Sequence, residues 1–158
     1  MKKILSLIVL LVALCSCEED VQFNNPTVQG IKDDALWRAV NYSATHQASN
    51  GALTVTATNG FETLTLRAQS ALPGTYEFGI NESNKASFVF SSPELSSAYQ
   101  TGAGTGDGEL VISALPAETN IAAGYITGNF KFNAVAEDGA VLNFRDGVFF
   151  KVPITVVP

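Results

Sequence analysis

Cysteine, histidine and basic residues are scarce in this sequence. Its 158 residues include two cysteines, one histidine, and nine lysines or arginines against fifteen aspartates or glutamates. One histidine and two cysteines are too few for a metal site built from several such ligands. Phosphate binding needs clustered lysine and arginine, so the acidic balance argues against nucleic acid as a partner. We therefore expect no metal, no other cofactor and no nucleic acid.

The sequence also lacks an apolar run of membrane-spanning length. The longest such run, residues 4–14, has 11 residues, whereas a helix needs about 20 to cross the hydrocarbon core of a bilayer. Lys2 and Lys3 precede this run. A basic head followed by a short apolar segment is typical of a secretory signal peptide.

The last residue of the apolar run and the three that follow it, Leu14-Cys15-Ser16-Cys17, resemble a bacterial lipobox. That resemblance implies diacylglycerol attached to Cys17 through a thioether, cleavage between Ser16 and Cys17, and acylation of the new amine. Only a thiol supplies the required nucleophile at this position. Cys15 departs from the residues commonly found there but is small enough to fit. The alternative is an ordinary secretory signal cut near Ser16.

Three acidic residues, Glu18, Glu19 and Asp20, follow directly. Beside a lipidated cysteine they resemble the acidic export signal that sends lipoproteins of Bacteroidota to the cell surface. Several acyl chains, each contributing about 0.8 kcal/mol per buried CH₂, make such an attachment effectively permanent. We expect an outer-membrane, lipid-anchored protein at the cell surface; the alternative is the periplasmic face.

These signals divide the chain into three parts. Residues 1–16 form the lipoprotein signal peptide, residues 17–29 the lipidated cysteine with a flexible acidic tether, and residues 30–158 one folded domain. Removing residues 1–16 from 158 leaves 142 residues, and losing the two lysines takes the net charge from −6 to −8. The mature chain keeps one cysteine, so no disulfide forms and stability must come from the core.

The domain reads as all-β. Apolar and polar residues alternate with period two along 53–57, 64–68 and 126–134, and no helical period persists. Asn50-Gly51 and Asn59-Gly60 predict hairpin turns of type I′. About eight strands, joined mostly as hairpins, predict an antiparallel β-sandwich; a closed or half-open β-barrel is the alternative.

Further local predictions follow from the same pattern. Residues 36–42 read as one strand after a turn at Asp33-Asp34. Residues 91–107 read as the longest irregular stretch. Asp146-Gly147 marks a bend or bulge, and Pro153 predicts an edge strand or a break in the last run.

The order and spacing of several short segments resemble a family of small Bacteroidota lipoproteins of unknown function, over roughly residues 30–153. The segments are Leu36-Trp37-Arg38-Ala39, Gly74-Thr75-Tyr76, Lys85-Ala86-Ser87-Phe88, residues 105–113, residues 126–134 and Asp146-Gly147-Val148-Phe149. The resemblance implies a β-rich domain on a lipid anchor and brings no known activity or catalytic residues.

No constellation of residues indicates catalysis. His46 precedes a turn in a polar setting and reads as an exposed or strand-end histidine. Acids such as Glu62 read as turn caps. Asp107 and Glu109 follow a glycine-rich stretch, where a solvated loop is favoured over a Ca²⁺ site. Trp37 reads as a core anchor.

The expected function is therefore binding or assembly at the cell envelope, without enzymatic activity. Partners would be the membrane, through the lipid, and an unknown envelope protein or glycan. The natural contact region is the loop around Tyr99, Asp107 and Glu109. The alternatives are a hydrolase acting on glycan or peptide through surface carboxylates or His46, and a structural lipoprotein facing the periplasm.

Overall fold

The computed structural model describes residue 25 and residues 27–158. Within these residues the chain forms eleven β-strands and no helix, which confirms the predicted all-β fold. The predictions on Ser16, on Cys17 and on residues 18–20 fall outside the described residues. In the part that is described, no helix has the length and apolar character needed to cross a membrane.

Eleven strands, rather than about eight, follow one another with short connections. They are β1 Thr27–Lys32, β2 Ala35–Arg38, β3 Asn41–Gln47, β4 Leu53–Asn59, β5 Glu62–Ala68, β6 Gly74–Phe78, β7 Lys85–Ser91, β8 Ser96–Gln100, β9 Asp107–Ile112, β10 Tyr125–Val135 and β11 Val141–Val157.

The strands join into one mixed sheet in the order β2-β1-β11-β3-β4-β5-β7-β8-β10-β9-β6. All pairings are antiparallel except that of β3 with β11, which is parallel. Because β10 also pairs with β11, the hydrogen-bonded order closes into a ring. The backbone pairing between β8 and β10 consists of a single residue pair, Val135 with Gln100. Aromatic rings from strands that do not pair contact each other in the core. Phe88 of β7 and Phe144 of β11 are an example.

Strand β11 changes partners along its 17 residues. Its first part pairs with β1 and β10, and residues 154–157 pair with β3. Two bulges interrupt its pairing. One extra residue near Asp146 shifts the register against both β1 and β10, and a second near Lys151 shifts it against β10. Both residues have positive φ, 51° and 46°, and bulges of this kind bend and twist a strand.

One of the two bulges confirms a sequence-based prediction. Asp146-Gly147 is the predicted bulge. The edge strand or break predicted at Pro153 is not found: Pro153 pairs with Tyr125 of β10 and the strand continues to Val157, while the second bulge lies two residues earlier, at Lys151.

Turn geometry agrees with the prediction at Asp33-Asp34 and differs at both Asn-Gly sites. Asn50 and Gly51 lie in a longer loop between the paired residues His46 and Leu53, and of the two only Gly51 has positive φ, so they form no two-residue type I′ turn. Asp33 and Asp34 both have positive φ and connect the paired residues Lys32 and Ala35, as a type I′ turn requires. In the β4–β5 hairpin Asn59 pairs with Glu62, so the two loop residues are Gly60 and Phe61. Only Gly60 has positive φ, which fits type II′ rather than the predicted type I′.

Two further segments differ from the sequence-based assignment. Residues 36–42 belong to two strands, β2 and β3, that pair with different neighbours. Residues 91–107, predicted to be irregular, contain β8. This strand has few apolar residues, so its sequence carries little strand signal.

An aromatic cluster centred on Phe144 fills the core. Its ring lies 5.6 Å from Trp37, 6.0 Å from Phe88, 5.5 Å from Phe130 and 5.3 Å from Phe132, centroid to centroid. These five residues are buried and come from β2, β7, β10 and β11. The cluster therefore connects β2 and β7, which do not pair with each other, to the paired strands β10 and β11.

Glycines on neighbouring strands make room for these rings. A Cβ atom on Gly147 would lie 2.5 Å from the Phe130 ring, and one on Gly30 would lie 2.9 Å from Phe144. Contacts this short do not occur, so any larger residue would displace a core phenylalanine.

Phe144→Ala is expected to lower the free energy of unfolding by about 3–5 kcal/mol, because it removes the shared ring and leaves a cavity. Leu115→Ala is the matched control: Leu115 is 59% exposed, and its loss should change stability by less than about 0.5 kcal/mol. Urea unfolding of both variants measures the difference. Equal stability of the two variants would show that Phe144 does not hold the core.

Candidate functional site

A groove lies on the outer face of the sheet, across β1, β11, β10 and β9. It has a volume of about 420 Å³, within the range of small-molecule sites. We call it the outer-face groove; it is lined by Gln29, Glu109, Val111, Asn129, Phe130, Lys131, Asp146, Gly147 and Val148. It lies beside the bulge at Asp146, where β11 bends.

Strand register assembles the groove from residues far apart in sequence. Gln29 pairs with Val148, Val148 with Asn129, and Asn129 with Val111, which makes one transverse row across four strands. Successive side chains of a strand point to opposite faces. Because Phe130 and Phe149 face the core, their neighbours in this row face outward.

The charged side chains of the outer-face groove are paired. Lys131 Nζ lies 2.9 Å from Glu109 Oε1, and Arg145 donates a hydrogen bond of 3.2 Å to Asp146. Arg145 also donates to Asp34 at 2.9 Å. That bond, with a smaller contribution from Asp146, raises the pKa of the guanidinium above its ordinary value.

The two amide side chains of the groove, unlike its charged side chains, have no partner among the described residues. Within the described residues, the side chains of Gln29 and Asn129 form no hydrogen bond to the protein. Asn129 is exposed and Gln29 is half-buried. Each amide presents a donor and an acceptor on one plane. The groove can therefore offer hydrogen bonds of both kinds to a polar ligand, above an aliphatic floor from Val111 and Val148.

A polar ladder runs beside the groove. Asn133 donates to Asp107 at 2.9 Å and accepts from Asn143 at 2.8 Å, and the three residues face one another on β9, β10 and β11. Asp107 is thus occupied by an amide rather than free for a cation. No group of three metal-ligating residues occurs in the described part of the chain.

The residues of the predicted contact loop separate in the structure. Asp107 and Glu109 lie on strand β9, at the outer face. Tyr99 lies on β8, half-buried against the core, rather than in a loop. It lines a second groove of about 570 Å³.

His46 lies on β3 rather than in a loop, half-buried on the side of the strand that faces the core. Its Nδ1 atom is buried and has no hydrogen-bond partner. It lines neither of the two grooves. The predicted strand-end position before a turn is confirmed, since β3 ends at Gln47 and a turn follows at residues 48–50. The alternative of an exposed side chain is not, because the parallel pairing with β11 covers this end of β3.

Glu62 has a role that the sequence did not indicate. It lies in β5, pairs with Lys32 of β1, and accepts a hydrogen bond of 2.7 Å from the indole N–H of Trp37. Trp37 is 3% exposed, which confirms it as a core anchor. Lys32 in turn lies over the Phe88 ring, 4.7 Å from its centroid. This carboxylate therefore holds β5 against β1 and β2, which no backbone ladder joins to it.

The family model described as "Domain of unknown function (DUF6252)" matches residues 24–153. The chain belongs to this family. No curated protein and no solved structure matches it. The match includes every residue of the outer-face groove, so the groove lies within the DUF6252 domain of this chain. Membership agrees with the uncharacterised family expected from the sequence.

Glu62→Ala is expected to destabilise the DUF6252 domain by about 1–3 kcal/mol, because it leaves the indole N–H of Trp37 buried without a partner. Glu109→Ala is the matched control, since Glu109 also pairs with a lysine but in a more exposed site. Exposed pairs contribute about 1 kcal/mol or less. Thermal unfolding of both variants measures the difference, and equal losses would contradict the role of Glu62.

Proposed function

We propose that this protein is a lipid-anchored envelope protein that binds a polar ligand at its outer-face groove, without catalysis. The observation that carries the binding role is the pair of amides, Gln29 and Asn129, which have no partner among the residues that the structure describes and lie above an aliphatic floor. Groups that orient a ligand in a binding site are few and precisely placed, on a mostly apolar surface. Here they lie on rigid strands rather than on loops.

The anchor rests on the sequence. Cys17 follows a basic head, an apolar run and Leu14-Cys15-Ser16, in the order that a lipobox requires. The acidic residues 18–20 support export to the cell surface of a bacterium of the Bacteroidota. The proposed location is the outer membrane, with the domain facing outward.

The ligand class that fits the groove best is a glycan, with an envelope protein as the second choice. Sugar hydroxyls both donate and accept hydrogen bonds, and an amide side chain can satisfy both. The aliphatic floor suits the C–H face of a sugar ring. A hydrolytic role has less support, because Glu109 and Asp146 are each held by a cation and His46 lies elsewhere.

Cys17→Ser is expected to abolish lipid attachment, because serine lacks the thiol nucleophile. Cys15→Ser is the matched control, since it changes a cysteine two residues away and leaves the proposed attachment site intact. Both variants would be expressed in a host that processes lipoproteins and partitioned between detergent and water. The proposal predicts that the Cys17→Ser protein partitions into the water phase and the Cys15→Ser protein into the detergent phase. The reverse pattern would contradict it.

Protease treatment of intact cells then tests the orientation of the domain. A surface-displayed protein is digested without lysis, whereas a protein on the periplasmic face is protected. Protection of the wild-type protein would refute surface display while leaving the anchor intact. Replacement of residues 18–20 by alanine should convert digestion to protection if they form the export signal.

Replacement of both groove amides, Gln29→Ala with Asn129→Ala, is expected to abolish ligand capture without loss of stability. The wild-type protein and the double variant would be immobilised and exposed to a solubilised envelope extract. Captured material would be analysed for monosaccharides and for peptides. Thr45→Ala is the control, since Thr45 is exposed on β3, away from the groove. Equal capture by the double variant would show that binding occurs elsewhere.

A further inference from the structure

The ring of strands is nearly open at one place, between β8 and β10. Only Gln100 and Val135 pair there. Because β10 ends at Val135, the rest of β8 lies beside the turn that follows β10, with a groove of about 570 Å³ between them. We call it the β8 seam; it is lined by residues 96–100 and residues 135–138.

Backbone hydrogen-bonding groups of β8 face into the β8 seam. The N–H of Thr101 donates to the C=O of Ala86 at 2.9 Å, so Thr101 points toward β7. Backbone groups of successive residues in a strand point to opposite sides. The backbone N–H and C=O groups of Ser97 and Tyr99 therefore also point toward β7. Those of Ser96 and Ala98 point away from it. Both residues are exposed. Their backbone N–H and C=O groups have no hydrogen-bond partner within the described part of the chain.

β8 also lacks the features that protect other sheet edges. Exposed edges are commonly guarded by a charge, a proline or a bulge. The two terminal strands of the sheet each carry an exposed charge, Arg38 on β2 and Glu77 on β6. The sequence Ser96–Gln100 has no charge, no proline and no bulge in its pairing with β7.

The charges beside the β8 seam are of one sign. Glu137 and Asp138 line its far wall, both exposed, and no lysine or arginine lines it. A second copy of the chain paired through β8 would bring two such acidic walls together. An occupant with positively charged side chains would instead be attracted to this acidic wall. This favours a basic segment over self-association.

We propose that the β8 seam binds an extended, basic peptide segment of a partner protein, which adds a strand to the free edge of β8. Main-chain hydrogen bonds to Ser96 and Ala98 would hold the strand, as in other sites of strand addition. Lysine or arginine side chains of the peptide would pair with Glu137 and Asp138. This site is separate from the outer-face groove and does not depend on the function proposed for that groove.

The test uses the full chain in detergent and a blocked nine-residue peptide that alternates threonine and lysine. The matched probe alternates threonine and glutamate. Calorimetry is expected to show binding of the basic peptide and at least tenfold weaker binding of the acidic one. No binding of the basic peptide at millimolar concentration, or equal binding of the two, would overturn the proposal.

Ala98→Pro tests the strand-addition geometry. Its N–H points away from β7, where proline is tolerated in an edge strand, so the fold should survive. The substitution removes one donor and blocks close approach, and we expect about a tenfold loss of affinity, as for one lost main-chain hydrogen bond. Ala98→Thr keeps the N–H and should bind as the wild type does. Equal binding of the proline and threonine variants would overturn the geometry.

Two further measurements keep the proposal testable if Ala98→Pro does not fold. Peptide binding should slow hydrogen exchange at the amides of Ser96 and Ala98 in the wild-type chain, and unchanged exchange in the bound state would overturn the proposal. Glu137→Gln combined with Asp138→Asn should weaken binding, whereas Glu94→Gln should not. If the wild-type chain self-associates and Ala98→Pro abolishes that association, the occupant of the β8 seam is a second copy of the chain. This result would also overturn the proposal.

Discussion

The fold depends on one strand that serves two sets of partners. β11 pairs with β1 and β10 along its first part and with β3 at its end. Bulges interrupt its pairing at two places, where they bend and twist the strand. The left-handed residues Asp146 and Lys151 supply the bends. Such conformations are uncommon outside glycine and persist only where the surroundings stabilise them. The phenylalanines on either side, Phe144 and Phe149, supply that stabilisation by burial in the core.

Both candidate binding surfaces follow from this arrangement. The bend at Asp146 gives the outer face of the sheet its groove, with side chains from four strands in register. Closure of the ring through β11 leaves the β8–β10 junction as its weakest link, with a single residue pair. The two surfaces offer different chemistry: amide side chains above aliphatic residues in one, and main-chain hydrogen bonds beside acidic side chains in the other.

Local features of the fold could be predicted from the sequence, and non-local ones could not. Period-two alternation identified β4, β5 and β10, and Asp146-Gly147 identified a bulge. β8 was missed because Ser96–Gln100 has neither a run of β-branched residues nor clear alternation. The parallel pairing of β3 with β11, which covers His46, joins segments about 110 residues apart and leaves no local pattern. Glu62 looked like a turn acid because its partners, Lys32 and Trp37, are distant in the chain. The outer-face groove was equally hidden, since its amides come from β1 and β10.

Hydrogen exchange of the native protein, read amide by amide, tests the shared role of β11 most directly. Residues that pair on both sides, such as Phe144 and Phe149, should exchange only through global unfolding and so be the slowest in the domain. The amides of Ser96 and Ala98 on the open edge should exchange rapidly. Fast exchange along β11, comparable to that of β8, would contradict the view that this strand holds the fold together.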